Sequence, residues 1–146
     1  MQSEEVFSKL AILDREEIEN AIRNIHNLRA NAQFDALERY LAPDAVFEYV
    51  GDSINFPYAG IYTGKKAIIA LYNWINTEIE MLDSRMVERI IDGDRAFSRR
   101  KVEVQHRGTG VHDVHEIWDT WKFRDGLVTH SVKLVDTRAY DRLQGE

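Results

Sequence analysis

The chain has 146 residues, 19 of them basic and 25 acidic, and no cysteine, so disulfides, thiolate catalysis and Cys-ligated metals are excluded. Its net charge of −6 argues against a nucleic-acid binder, whose affinity rests on Lys and Arg neutralising phosphates. At 17.0 kDa, with 44% apolar and 30% charged residues, the composition is that of one folded domain spanning 1–146 rather than a disordered tail.

The longest apolar stretches, such as Ala67–Tyr72, fall far short of a membrane span. The opening residues MQSEEVFSKL lack a basic region followed by an apolar one, so a cytoplasmic protein is expected.

Asp14-Arg15-Glu16-Glu17 has the spacing of a capping box and predicts a helix start at Asp14. Ile18, Ala21, Ile22, Ile25 and Leu28 then recur at three- and four-residue steps, one face of an amphipathic helix. A shorter helix is predicted over 34–41, ended by Pro43, and a strand over 45–50. Residues 51–62 are irregular and aromatic. Thr63 is placed to cap a third helix from Gly64 to about Glu80. Turn signals at Asp92-Gly93-Asp94, Gly108-Thr109-Gly110 and Arg124-Asp125-Gly126 separate four long strands, 82–91, 95–107, 111–123 and 127–135. Three N-terminal helices packed on a curved, mostly antiparallel sheet make an α+β domain. Its long sheet curls around the helices into a cone-shaped α+β barrel.

This order, with three local motifs, resembles the nuclear transport factor two-like superfamily, most closely its SnoaL-like and ketosteroid isomerase-like branch. The motifs are Tyr40–Tyr49 at the junction of second helix and first strand, Tyr58–Ile69 at the entry to the third helix, and Trp118–Gly126 at the closing hairpin. Asp136 matches an acidic residue common at the end of the last strand. The resemblance covers about residues 14–140. It implies a cone-shaped fold that hosts many chemistries, including polyketide cyclases, dehydratases and isomerases.

Asp119 is the sharpest chemical signal. Strand alternation places Asp113, His115, Ile117, Asp119, Trp121 and Phe123 on one face. A carboxyl among Ile117, Trp121 and Phe123 is expected to have a raised pKa, suited to proton shuttling. By resemblance, its position is that of a protonated aspartate in ketosteroid isomerases and of the acid/base in SnoaL cyclases. Tyr49 stands where ketosteroid isomerases carry their base and where scytalone dehydratase-like enzymes use a tyrosine to orient water and carbonyl. The isomerase's first-helix tyrosine maps onto Ile25, so steroid isomerisation itself is not expected. His26, beside it, reads as a helix-flank residue.

An odd hairpin register puts Arg100, Val102, Val104 and His106 on the Asp119 face; an even one puts Arg99, Lys101, Glu103 and Gln105 there. The valines favour the first. Arg100 then either lowers the Asp119 pKa or binds a substrate anion. Limonene epoxide hydrolase-like enzymes carry an Arg-x-Asp pair here, but the third position is Val102, and Lys133 falls where they hold their second aspartate. Lys133 reads as a pocket residue or a snorkelling surface lysine. One of the two histidines of scytalone dehydratase-like enzymes corresponds to Asp83 or Ser84. His112 and His115 point to opposite faces, so no metal is implied. Without a P-loop, GxGxxG, GxSxG or HExxH motif, no cofactor is implied either.

The expected function is cofactor-independent proton transfer on a small hydrophobic carbonyl or polycyclic substrate. Asp119, Tyr49, Arg100 and His106 are the catalytic candidates, with Phe56, Tyr58, Trp74, Val102, Val104, His115, Ile117, Trp121 and Lys133 around the substrate. The alternatives are a non-catalytic dimeric ligand-binding or scaffolding domain and the small subunit of an aromatic-ring dioxygenase. Val114, Trp118, Val132 and Leu134 have the opposite parity to Asp119 and predict an apolar outer face suited to a homodimer.

Overall fold

A computed structural model describes residues 4–145, with side chains from Asp14 onward; Met1–Ser3, part of the stretch read for export, and Glu146 lie outside it. Helix α1 spans Glu4–Ala30, a 3-10 helix Phe34–Tyr40, strand β1 Leu41–Tyr49, β2 Gly60–Thr63 and α2 Lys65–Glu78. Four long strands follow, β3 Ile79–Asp92, β4 Arg95–His106, β5 His112–Arg124 and β6 Leu127–Val135, and then α3, Thr137–Leu143. The sheet order is β2-β1-β6-β5-β4-β3, with only the β1–β6 pair parallel.

Three local expectations are corrected. The helix is already formed at Glu4, so Asp14 lies inside α1 and is not its cap. Pro43 does not follow the second helix but sits inside β1, where the pairing with β6 shifts between Leu41 and Val46. A bulge tolerates a residue without an N–H, which is why a proline survives there. Gly64, not Thr63, precedes α2, and it makes no side-chain cap. A feature absent from the sequence reading is α3, capped by the Asp136 carboxylate, which accepts from the amides of Arg138 and Ala139.

The strand boundaries of the meander agree with the turn signals within three residues at each end. The β5–β6 turn holds Asp125 and Gly126 at φ 52° and 78°, the paired positive angles of a two-residue hairpin turn. The predicted odd register is present: Ser98 faces Asp119, Arg100 faces Ile117 and Val102 faces His115. Ile18, Ala21, Ile22 and Ile25 of α1 pack with Phe47, Tyr72, Trp121, Phe123 and Val128 into the main core. Each such fully buried aliphatic or aromatic side chain contributes roughly 1.5–3 kcal/mol. Two smaller clusters, around Tyr49-Phe56-Tyr58-Tyr140 and Val102-Val104-Ile117-Leu143, leave space between helices and sheet.

Candidate functional site

That space is a narrow cavity of about 80 Å³, open to solvent at its mouth. Its walls are mostly apolar or aromatic: Phe34, Phe56, Tyr58, Tyr72, Ile75, Ile79, Val102, Val104, Ile117 and Tyr140 among them. One end is polar. Arg29, Tyr49 and Tyr72 border the cavity and are at least nine-tenths buried, at 8%, 2% and 1% exposure. Among the described residues Arg29 NH1 and the Tyr49 and Tyr72 hydroxyls make no well-formed hydrogen bond, although Arg29 and Tyr49 lie close enough to interact with one another. His115 Nε2, on the same cavity, likewise makes no well-formed hydrogen bond; buried polar groups are normally satisfied, so these four orphans mark a place where a ligand completes the bonding. Burial pushes both phenols up in pKa, so they stay protonated donors at neutral pH. The Arg29 guanidinium lies over the Tyr72 ring, 4.5 Å from its centroid.

One wall carries the cavity's imidazole. His115 borders it, and its Nε2 lies 3.4 Å from Asp113 Oδ2, with the ring only 11% exposed. Burial lowers the His115 pKa, and Asp113 offsets this only in part. The ring is therefore neutral at pH 7 and able to accept a proton.

Behind the cavity lies an ionic cluster. The Asp119 carboxylate, fully buried, accepts from Lys133 Nζ at 2.9 Å on Oδ1 and from Arg100 Nε at 3.2 Å on Oδ2. The register explains this: Asp119 lies opposite Ser98 on β4 and opposite Lys133 on β6. Ser98 adds a 3.4 Å contact while accepting from Trp121 Nε1, and His26 Nε2 stands 3.6 Å away. Burial alone would raise the Asp119 pKa, but Lys133, Arg100 and His26 outweigh it and hold it well below the carboxylate range. The expectation of a raised pKa is thus reversed: Arg100 acts as the lowering influence that the odd register allowed, and Lys133, arriving from β6, adds a second cation that β5 itself does not reveal. Burial first, then the Arg100 charge, pull His26 down to about 3, so this histidine is neutral. Lys133, pulled down by burial to about 8, remains charged at pH 7 and lies 4.5 Å from the Trp121 ring.

A third group ties α3 to the cavity mouth. Tyr58 and Tyr140 hydroxyls donate to Glu78 Oε1 at 2.7 and 2.8 Å, and Gln144 reaches Oε2 at 3.4 Å. His106 Nδ1 accepts from the amides of Gly108 and Thr109, which leaves the proton on Nε2, directed at Glu78 Oε2.

Of the residues expected from sequence, Tyr49, Phe56, Tyr58, Val102, Val104, His115 and Ile117 border the cavity together. Asp119, Arg100, Lys133 and Trp121 stand behind it, in the ionic cluster and core. His106 is drawn to Glu78. Trp74 is corrected to a position outside, 46% exposed and packed edge-on against Tyr58, because α2 turns it away from the cavity. His26 is corrected to an inward residue, 5% exposed, and Lys133 is buried at 1% rather than at the surface. Arg29, Glu78 and Tyr140 were missed, and Tyr72, expected with its aromatic neighbours as core or pocket lid, also brings its hydroxyl to the cavity. Arg29 had a signal, since Ile22, His26 and Arg29 share a helix face at steps of four and three. Glu78 and Tyr140 had none, being 62 residues apart. Among the described residues no group of three or more His, Cys, Asp or Glu side chains is placed to hold a metal, and no helix is long and apolar enough to cross a membrane.

Solved structures share this architecture at low identity. A candidate isomerase from Rhodopseudomonas palustris superposes with a TM-score of 0.77 at 18% identity, covering 89% of this chain and 97% of its own. A candidate isomerase from Bacillus subtilis gives 0.78 at 15%, covering 90% and 95%. An LEH-like epoxide hydrolase from M. tuberculosis gives 0.69 at 18%, covering 89% of each chain. No curated protein matches the sequence. The model of the SnoaL-like domain family matches residues 22–131, which take in α1 from Ile22 to most of β6, and the chain therefore belongs to the SnoaL-like family within the nuclear transport factor two-like fold.

Proposed function

We propose that this SnoaL-like chain is a cofactor-independent enzyme that moves a proton on a small hydrophobic carbonyl substrate. One observation carries the reading: unpartnered Tyr49 and Tyr72 hydroxyls and Arg29 NH1 lie on one side of a mostly apolar and aromatic cavity. Phenol donors fixed in a dry site stabilise an oxygen that gains negative charge as the adjacent carbon loses a proton. His115, neutral and backed by Asp113, takes that proton. Asp119, Arg100 and Lys133 hold the floor's geometry and field rather than touching substrate, and His106 orders the mouth through Glu78. Two proteins of the same fold are candidate isomerases, which suits this chemistry.

The test needs no knowledge of the physiological substrate. Exchange of the α-protons of 2-tetralone in D2O is followed by NMR with wild type, His115→Asn and Tyr49→Phe. Wild type accelerates exchange over free imidazole; His115→Asn loses about 10²–10⁴-fold of that and Tyr49→Phe about 10²–10³-fold. No acceleration by wild type, or full activity of both variants, overturns the reading in favour of a binding domain without turnover.

We further propose a homodimer through the outer sheet face. Val114, Trp118 and Leu134 are 58%, 46% and 44% exposed there, with Trp118 and Leu134 paired across β5 and β6.

A further inference from the structure

The polar end of the cavity carries more positive charge than the fold neutralises. Arg29, Arg100 and Lys133 are all at least nine-tenths buried, and Asp119 is the one buried carboxylate near them among the described residues. Both of its oxygens are taken, Oδ1 by Lys133 and Oδ2 by Arg100 and Ser98. Nothing is left for Arg29, which has no carboxylate within 4.0 Å among the described residues. An arginine cannot shed its proton, so it stays charged in this position. A buried charge without a counter-charge is costly, and proteins retain one where a ligand supplies the opposite sign. The surroundings dictate the rest of that ligand. Tyr49 and Tyr72 offer two further donors, the Asp136 carboxylate on the lining is committed to the α3 amides, and Phe34, Phe56, Val102, Val104 and Ile117 present apolar surface.

Resting on the enzyme reading and deepening it, we infer that this end of the cavity is built to hold a full oxygen anion on Arg29 with Tyr49 and Tyr72 as additional donors, so that flat apolar carboxylates and ionised acidic enols, which resemble the enolate left by proton removal, bind there as ligands. The anion completes the missing counter-charge, and its two-oxygen or delocalised form matches the planar guanidinium. A neutral carbonyl of the same shape satisfies the hydroxyls but leaves Arg29 unpaired. The cavity therefore discriminates by charge, beyond the shape selection that its aromatic walls provide.

Calorimetric titration at pH 7 of the full-length protein with three probes of one size tests this: 2-naphthoate, 2-naphthamide and the anion of 2-hydroxy-1,4-naphthoquinone. Both anions are expected to bind at least 10-fold more tightly than the amide, and Arg29→Met to remove that preference while leaving amide affinity within about 3-fold. If only one anion wins, the charge inference stands and the arm shows whether carboxylate or enol is the better fit. Because Arg29→Met deletes an uncompensated charge, its ligand-free Tm is expected to rise, and anions should raise the wild-type Tm but not the variant's. Naphthoate and hydroxynaphthoquinone binding no better than naphthamide, including no binding by any probe, overturns the inference without recourse to the variant. So does a preference that survives in Arg29→Met. Failure of the enzyme reading looks different: the anions bind in the stated order while tetralone exchange stays at the imidazole rate.

Discussion

Replacing Asp119 by Asn separates a structural carboxylate from a catalytic one. The substitution keeps the size of the side chain and removes its charge. In the wild type one carboxylate faces the buried Lys133 and Arg100 cations at 2.9 and 3.2 Å. The substituted amide would present one carbonyl oxygen and one NH2 group to partners that are both donors, so one of the two bonds is lost and replaced by donor against donor. Removing one partner of a buried ion pair costs about 3–5 kcal/mol, a large share of the roughly 5–15 kcal/mol typical of a whole domain. At about 2–4 °C per kcal/mol, Tm falls by roughly 6–20 °C. The loss should depend on pH in a definite direction. Lys133 already has its pKa pulled down to about 8 by burial; without Asp119 it falls further, while the unfolded chain keeps a lysine near roughly 10.4. Between those values the unfolded state binds more protons, so stability rises with pH. Wild-type Lys133 gains stability in the same way above pH 8, so Asp119→Asn should regain part of its deficit between pH 7 and about 8 and hold a constant deficit beyond. Urea unfolding followed by tryptophan fluorescence at pH 7, 8 and 9 measures both effects. A loss below about 1 kcal/mol at pH 7, with tetralone exchange abolished, would show that Asp119 touches substrate and that the ion cluster is not what holds it.

His26 has a folded pKa of about 3 against an ordinary 6.5, so the unfolded chain takes up a proton first and stability declines as pH falls through 6.5 toward 3. From pH 6.5 to 4.5 this amounts to about 2 kcal/mol, and His26→Gln should flatten the decline in an acid-unfolding series; an unchanged slope rules out the buried neutral imidazole as its source. Glu78→Gln weakens the acceptor shared by Tyr58, Tyr140, His106 and Gln144. Hydrogen–deuterium exchange should then accelerate in α3, residues 137–143, with the β4–β5 hairpin core unaffected, and equal protection in both proteins would show that α3 is held by its apolar contacts alone. Trp118→Glu combined with Leu134→Glu places like charges across one strand pair, and light scattering should show a monomer where the wild type is a dimer; a monomeric wild type removes the dimer proposal.

Periodicity along the chain was enough to establish which faces of the meander turn inward. The two-residue alternation of Ile117, Asp119, Trp121 and Phe123, and the valines following Arg100, carried both the strand parity and the hairpin register, because a one-residue slip would have put valines in water and charges inside. Turn chemistry at Asp125-Gly126 placed the hairpin for an equally local reason, the cost of positive φ elsewhere. Capping was less legible: Asp14 has the right neighbours for an N-cap, yet helical residues before it leave its carboxylate no free amides to cap. The site itself was only half visible. His115 and the apolar wall follow from strand parity and Tyr49 from the family resemblance, whereas the inward turn of His26 and the place of Arg29 went unread although the helix repeat carries both. The charge state of Asp119 follows from neither parity nor repeat, since it depends on Lys133 from β6 and Arg100 from β4 arriving at opposite oxygens. Burial among Ile117, Trp121 and Phe123 alone would have protonated that carboxyl. Only the tertiary structure supplies the two cations that ionise it, commits its charge to them, and leaves Arg29 facing the cavity without a partner.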